Sequence, residues 1–224
     1  MSAIITAHSG SDGTPDNSLE FVRYALSCPV EALEVDVRVR PDGSFFLSHD
    51  ASDDVCPDLR EVFSLLRGSG KLVNCDLKNP GMELGVLALA KKSGIAEQLL
   101  FSGDVSPALV RENAQVRERT LFNLDPFAAD MLRRFRNGQE PTREDLESIA
   151  RQCTAFGVGT INIPYGLCTQ TFLRFFRERN IAISAWTVND AETAERLLRA
   201  DIRNITTRSP KKLTGLRRKL FAEQ

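Results

Sequence analysis

Histidine is scarce in this sequence: His8 and His49 are the only two in 224 residues. Any imidazole chemistry therefore rests on those two positions. Cysteine occurs five times, at Cys28, Cys56, Cys75, Cys153 and Cys168, and no two of these form a C-x-x-C pair. An odd number without that spacing argues against a disulfide framework or a zinc knuckle, and predicts reduced thiols. An excess of one charge is missing as well, since 29 basic and 30 acidic residues leave a net charge of −1. That balance provides no field for nucleic acid or for an anionic membrane. The basic cluster "KKLTGLRRKL" near the C-terminus reads as the solvated face of an amphipathic last helix. No apolar run approaches membrane-spanning length, and the start "MSAIITAH" has neither a basic n-region nor a long apolar h-region. The expectation is a soluble, cytoplasmic protein with no nucleic-acid partner and no stable membrane association.

What the sequence does have is alternation. Short β-branched or apolar runs fall at 3–7, 32–37, 72–77, 99–102, 119–122, 159–163, 181–187 and 203–206. Segments with helical periodicity lie between most of them, at 18–27, 59–66, 82–92, 142–153, 169–179 and 191–199. Capping residues mark the helix starts: Asp16 or Asn17 before "SLEF", Thr142 before "REDLESIA", Asp190 before "AETAERLL". A further run at 44–48 follows a "PDG" turn and predicts a hairpin-like extension of the second strand rather than another barrel strand. Eight strand–helix units in 224 residues predict one (β/α)8 TIM barrel over 1–224, at the small end of its size range. A doubly wound open sheet is the rival.

A barrel gathers chemistry at the C-terminal ends of its strands. His8 ends the first strand, Glu34 and Asp36 lie in "LEVDV" at the second, and His49 follows in "FFLSHD". Asp76 and Lys78, in "NCDLK", end the next. Glu34 and Asp36 are two residues apart, so they share one side of a strand within an otherwise apolar run. Buried there, the pair needs a cation. With Asp76 completing an all-oxygen set, Mg²⁺ or Ca²⁺ suits it better than zinc. Arg38 and Arg40 have the same strand parity, so acid–base pairing on a solvent-facing side is the alternative. Two imidazoles beside such a set can divide the work, one taking a proton and the other giving one. Acid, base and hard metal together are what phosphoester transfer requires.

In this order and spacing the residues resemble the glycerophosphodiester phosphodiesterases. The family pattern runs from a strand-end His-Arg-Gly through Pro-Glu-Asn-Thr and Glu-x-Asp-Val to Asp-Gly followed by His-Asp. The chain has "HSG", "PDNSLEF", "EVDV" and "PDGSFFLSHD". The phrases "PDLREVFSLL", "NCDLK", "SAWTVND" and "RNITTRSP" extend the likeness over about 4–210. The resemblance implies a barrel that uses a divalent metal to hydrolyse glycerophosphodiesters, or a related small phosphodiester, to a glycerol phosphate and an alcohol. It implies His8 and His49 as the acid/base pair and Glu34, Asp36 and Asp76 as ligands of Mg²⁺ or Ca²⁺. It also implies Lys78 on the phosphate side, Trp186 as an aromatic at the pocket, with a core indole as the alternative, and Ser9 at the place of the phosphate-binding arginine.

The chain departs from the family at several points. Ser9 has neither the charge nor the reach of arginine. Asp16 and Asp76 are each one methylene shorter than the usual Glu, and Thr207 stands where Asp is usual. Only "DASDDVC" separates His49 from Pro57, where the family often carries a long insertion, so a more open pocket is expected. Residues 124–140 read as a surface helix, with a lid as the alternative. Two other functions remain: a phospholipase D-like lyase on lysolipid-type phosphodiesters, and a catalytically impaired barrel that binds a phosphorylated ligand.

Overall fold

Polar and apolar residues alternate along these strands, and the alternation decides where the core lies. The computed structural model describes residues 3–51 and 55–222. The chain begins β1 (Ile4–Ala7), α1 (Leu19–Ser27), β2 (Ala32–Val39), β3 (Phe45–Leu47), α2 (Leu59–Leu66), β4 (Leu72–Leu77), α3 (Glu83–Ser93) and β5 (Leu99–Gly103). Next come α4 (Pro107–Glu112), α5 (Ala114–Arg117), β6 (Phe122–Asn123), α6 (Asp125–Arg136), α7 (Arg143–Phe156) and β7 (Thr160–Pro164). It ends with α8 (Gln170–Arg177), β8 (Ala182–Trp186), α9 (Ala191–Arg199), β9 (Asn204–Thr207) and α10 (Pro210–Phe221). The strands stand side by side in the order β5-β4-β2-β1-β9-β8-β7-β6, with β3 attached to β2. The two ends of this row meet at Phe101, whose N–H donates to the Arg119 carbonyl and whose carbonyl accepts from the Leu121 N–H, both at 2.8 Å. The result is a nearly closed, eight-stranded parallel barrel with helices between the strands, a TIM barrel rather than an open sheet.

On β1, β2 and β4 the residues Ile5, Ala7, Leu33, Val35, Val37, Val73, Cys75 and Leu77 are buried in the apolar cluster shared with the helices. Their neighbours along the chain, Thr6, Glu34, Asp36, Asn74 and Asp76, therefore face the barrel axis. A relay of side chains crosses the interior. Thr6 Oγ1 donates to Asn204 Oδ1 (2.7 Å), Asn204 Nδ2 to Ser184 Oγ (2.9 Å), Ser184 Oγ to Asn162 Oδ1 (2.7 Å), and Asn162 Nδ2 to Asn123 Oδ1 (2.8 Å). TIM-barrel interiors are usually packed with branched aliphatic residues. Here the main hydrophobic core is the layer between sheet and helices, and the inside of the barrel is a hydrogen-bonded polar network.

The extension at 44–48 is β3, which pairs antiparallel with the end of β2, Val37 opposite Leu47. α1 is capped by Ser18, whose Oγ accepts from the Phe21 N–H at 3.0 Å, and not by Asp16 or Asn17. The 119–122 run contributes only Phe122 to β6, because Thr120 is used in the bridge to Phe101. Within 124–140 the helix α6 covers Asp125–Arg136, tied to α7 by Arg134 Nη2 and Asp145 Oδ1 at 2.6 Å. Of "DASDDVC", residues 52–54 lie outside the described residues, and among those described no helix separates β3 from α2. All five cysteines are free thiols. Burial pushes Cys153 and Cys168 each up to about 12, as expected of packing residues. Among the described residues no helix is long and apolar enough to cross a membrane.

α10 closes the far end of the barrel through Arg217, which donates to Glu31 Oε2 (2.9 Å) and Oε1 (2.6 Å) and to the Ala3 carbonyl (2.7 Å). Partial burial alone would raise the Glu31 pKa, but Arg217 and the Ile5 N–H outweigh it and hold the carboxyl below its usual value. A depressed folded pKa contributes stability above the unfolded value of about 4.3, and that contribution is lost as pH falls through the folded one. Glu31→Gln should therefore lower Tm at neutral pH, with the gap to wild type closing as pH drops below about 4. A gap that stayed constant from neutral to acid pH in a melting series would show that this linkage is absent.

Candidate active site

The inward polar positions lead, at the C-terminal rim, into a pocket of about 400 Å³, a size suited to a small ligand. His8, Glu34, Asp36, His49, Asp76, Lys78 and Trp186 all line it. Strand register assembles the acidic group: β2 and β4 place Asp36 opposite Asp76 and Glu34 opposite Asn74. One oxygen each from Glu34, Asp36 and Asp76 lies within 4.8 Å of the others. Lys78 sits between two of them, its Nζ 2.8 Å from Asp36 Oδ1 and 2.6 Å from Asp76 Oδ2.

Each carboxylate is also held from behind. Asn17 grips Asp36 twice, donating from Nδ2 to Oδ2 at 2.8 Å and accepting the Asp36 N–H on Oδ1 at 3.0 Å. Ser102 Oγ donates to Asp76 Oδ1 at 2.9 Å, and the Ser9 N–H to Glu34 Oε2 at 3.1 Å. Gly103 permits the approach of β5, since a Cβ there would lie 2.4 Å from both Asp76 Oδ1 and the Leu77 carbonyl, and its φ is +79°.

The acid–base ladder with Arg38 and Arg40 is not formed. Beyond Val37 the end of β2 pairs with β3, and the arginines turn to the loop there. Arg38 Nε and Nη2 donate to the His49 carbonyl at 3.1 and 2.7 Å, and Arg40 donates to Ser44 Oγ and the Cys56 carbonyl.

Electrostatics follow from this arrangement. Burial, then the charges of Asp36 and Asp76, push Glu34 well above the usual carboxylate range. Burial raises Asp76 too, despite Lys78. Burial acts on Asp36 in the same direction, but Lys78 and Asn17 reverse it and hold this carboxyl low. One ammonium is shared between two carboxylates, and Asn17 tips the balance toward Asp36. Lys78 itself is pushed upward, the two carboxylates outweighing its burial. Three carboxylates against one ammonium leave a formal charge of minus two, which one divalent cation would neutralise. The donor set is all oxygen, so the residues fit a hard cation.

His8 Nδ1 is 2.7 Å from the Ser9 carbonyl and 3.7 Å from Glu34 Oε2. An acceptor at that distance assigns the proton to Nδ1 and leaves the lone pair on Nε2. Burial lowers the His8 pKa, and the positive charge of Arg208, paired with Asp16 at 2.9 Å, acts in the same direction. His49 lies on the exposed loop after β3 with Nδ1 3.0 Å from Asp50 Oδ1.

The remaining expected residues are placed unevenly. Trp186 is on the pocket wall, with a buried Nε1 that has no hydrogen-bond partner among the described residues. Lys78 spends two N–H directions on carboxylates rather than lying free for phosphate. Ser9 is fully buried behind the wall, where its hydroxyl accepts the Asn17 N–H at 2.5 Å and its own N–H holds Glu34. It is therefore a support for the carboxylates and does not face a ligand. In the sequence Asn17 reads as a helix cap and Arg38 only as a partner for the carboxylates, while no motif there singles out Ser102 or Asn74. Parity with Asp76 was the signal available for Asn74.

No family model matches the chain. It is 23% identical to the glycerophosphodiester phosphodiesterase GDPD4 of Arabidopsis thaliana, over 98% of this chain and 75% of that protein. It is 22% identical to a glycerophosphodiester phosphodiesterase of Caldanaerobacter subterraneus subsp. tengcongensis, over 98% of this chain and 99% of that one. A crystal structure from Agrobacterium tumefaciens, assigned as a glycerophosphoryl diester phosphodiesterase, superposes with a TM-score of 0.80 at 14% identity, covering 98% of this chain and 99% of that one.

Proposed function

We propose, from the likeness to glycerophosphodiester phosphodiesterases along nearly the whole chain, that this chain is a phosphoric diester hydrolase cleaving glycerophosphodiesters to a glycerol phosphate and an alcohol. The observation that carries the proposal is a single pocket shared by His8, His49, three carboxylates and Lys78. His8, its pKa lowered by burial and its Nδ1 proton directed at the Ser9 carbonyl, offers Nε2 as a general base toward the neighbouring glycerol hydroxyl, whose attack on phosphorus would expel the alcohol and give a cyclic phosphate that water then opens to the glycerol phosphate. His49, on the facing loop and steadied through Arg38, is the group to protonate the departing alcohol. Glu34, Asp36 and Asp76 would hold Mg²⁺ or Ca²⁺, which when bound supplies charge neutralisation for the phosphate oxygens. Lys78 keeps Asp36 and Asp76 in position, and Trp186 presents an apolar wall that excludes water. Five free cysteines fit a reducing compartment such as the cytoplasm.

The test is a panel of glycerophosphodiesters and a chromogenic diester, assayed after chelation and again with Mg²⁺ or Ca²⁺. Turnover should stop with chelator, return with metal and release glycerol phosphate. Accumulation of a cyclic phosphate as end product would replace hydrolysis with a lyase, and ligand binding without turnover at any divalent metal would leave an impaired barrel.

A further inference from the structure

Asn74 differs from the other amides inside the barrel. Asn123, Asn162 and Asn204 are all paired in the interior relay, whereas Asn74 Oδ1 is buried with no hydrogen-bond partner among the described residues. The residue is 3% exposed and lines the pocket. It stands on the same side of β4 as Asp76 and directly opposite Glu34 in the strand register.

The direction of its amide follows from its one hydrogen bond. Nδ2 donates to Ser102 Oγ at 2.9 Å, on β5. β5 and β2 flank β4 on opposite sides, so the other branch of the planar amide, Oδ1, is turned toward β2 and Glu34. A carbonyl oxygen facing a carboxylate brings two acceptors together, a clash that a proton on Glu34 relieves when the site is empty and a cation between them relieves when it is filled. Lys78 is committed to Asp36 and Asp76.

We propose that the side-chain oxygen of Asn74 is a fourth protein ligand to the cation held by Glu34, Asp36 and Asp76, and that it biases the site toward Ca²⁺ over Mg²⁺. The inference rests on the reading of the three carboxylates as a metal site. Ca²⁺ accepts six to eight oxygens, neutral amide carbonyls among them, in flexible geometry, whereas Mg²⁺ demands a tight octahedron and keeps several waters. A fourth oxygen fixed by β4 and Ser102 therefore favours the larger ion.

The experiment is calorimetric titration of CaCl₂ and MgCl₂ into chelator-treated protein, using wild type, Asn74→Leu and Asn74→Asp. Leucine keeps the volume and removes the oxygen. It should weaken Ca²⁺ binding by about tenfold or more, with a smaller effect on Mg²⁺. Aspartate restores an oxygen without an N–H, and should bind Ca²⁺ as tightly as wild type or more so. Unchanged Ca²⁺ affinity in Asn74→Leu overturns the proposal. So does an Asp variant weakened as much as the Leu variant, because the amide would then be serving as a donor to Glu34. If the Leu variant does not fold, the Asp variant alone decides, equal or tighter Ca²⁺ binding supporting the ligand and weakened binding opposing it. A wild type that binds neither ion instead removes the metal from the proposed function, an outcome distinct from failure of Asn74.

Discussion

His8→Asn should lower kcat by about 10²- to 10⁴-fold while leaving the melting temperature near that of wild type. The asparagine amide can still donate toward the Ser9 carbonyl, as Nδ1 does at 2.7 Å, so the local hydrogen bond survives while the Nε2 lone pair is lost. The pH profile separates a base from a structural residue. Burial lowers the His8 pKa, so wild-type activity should persist to more acid pH than an ordinary imidazole base allows, and this acid limb should vanish in the variant. Activity within a few-fold of wild type would remove His8 from the chemistry.

The second large effect concerns stability. Lys78→Met removes the ammonium that bridges Asp36 and Asp76, and loss of one member of a buried ion cluster costs about 3–5 kcal/mol. Denaturant unfolding in chelator should show a lowered midpoint. Addition of Mg²⁺ or Ca²⁺ should recover more stability in the variant than in wild type, because the same carboxylates then regain a counter-charge. An unchanged midpoint in chelator would mean that protonation of Glu34 and Asp76, whose pKa values burial already raises, is enough to neutralise the cluster without the lysine.

Much of this site is legible in the sequence because strand parity is local. Glu34 and Asp36 share a side by spacing alone, and Asp76 joins them once β2 and β4 are neighbours. What escaped the sequence depends on where chain segments cross. Asn17 looks like a cap, and only the fold brings its amide to Asp36. Arg38 has the parity of Asp36, yet the departure of β2 to pair with β3 carries it to the His49 loop. Ser9 stands next to a histidine on the pocket wall, but one step along the chain turns it into the interior. The short helices α4 and α5 carry too few apolar positions for periodicity to show, and are held by their caps, Ser106 and Asn113.

The pocket is built unequally around the barrel. Both histidines, the three carboxylates and Lys78 come from residues 8–78, whereas Asn123, Asp125, Asn162, Trp186 and Thr187 make up the opposite wall. The seam at Phe101, held by two backbone hydrogen bonds, separates these two stretches. The two halves are held differently: the first by mutual charge among Glu34, Asp36, Asp76 and Lys78, the second by the neutral relay of Asn123, Asn162, Ser184 and Asn204. On the proposed function, changes in the loops after β6, β7 and β8, which carry Asp125 and Thr187, should alter which alcohol is accommodated while leaving the charged groups of the first half in place.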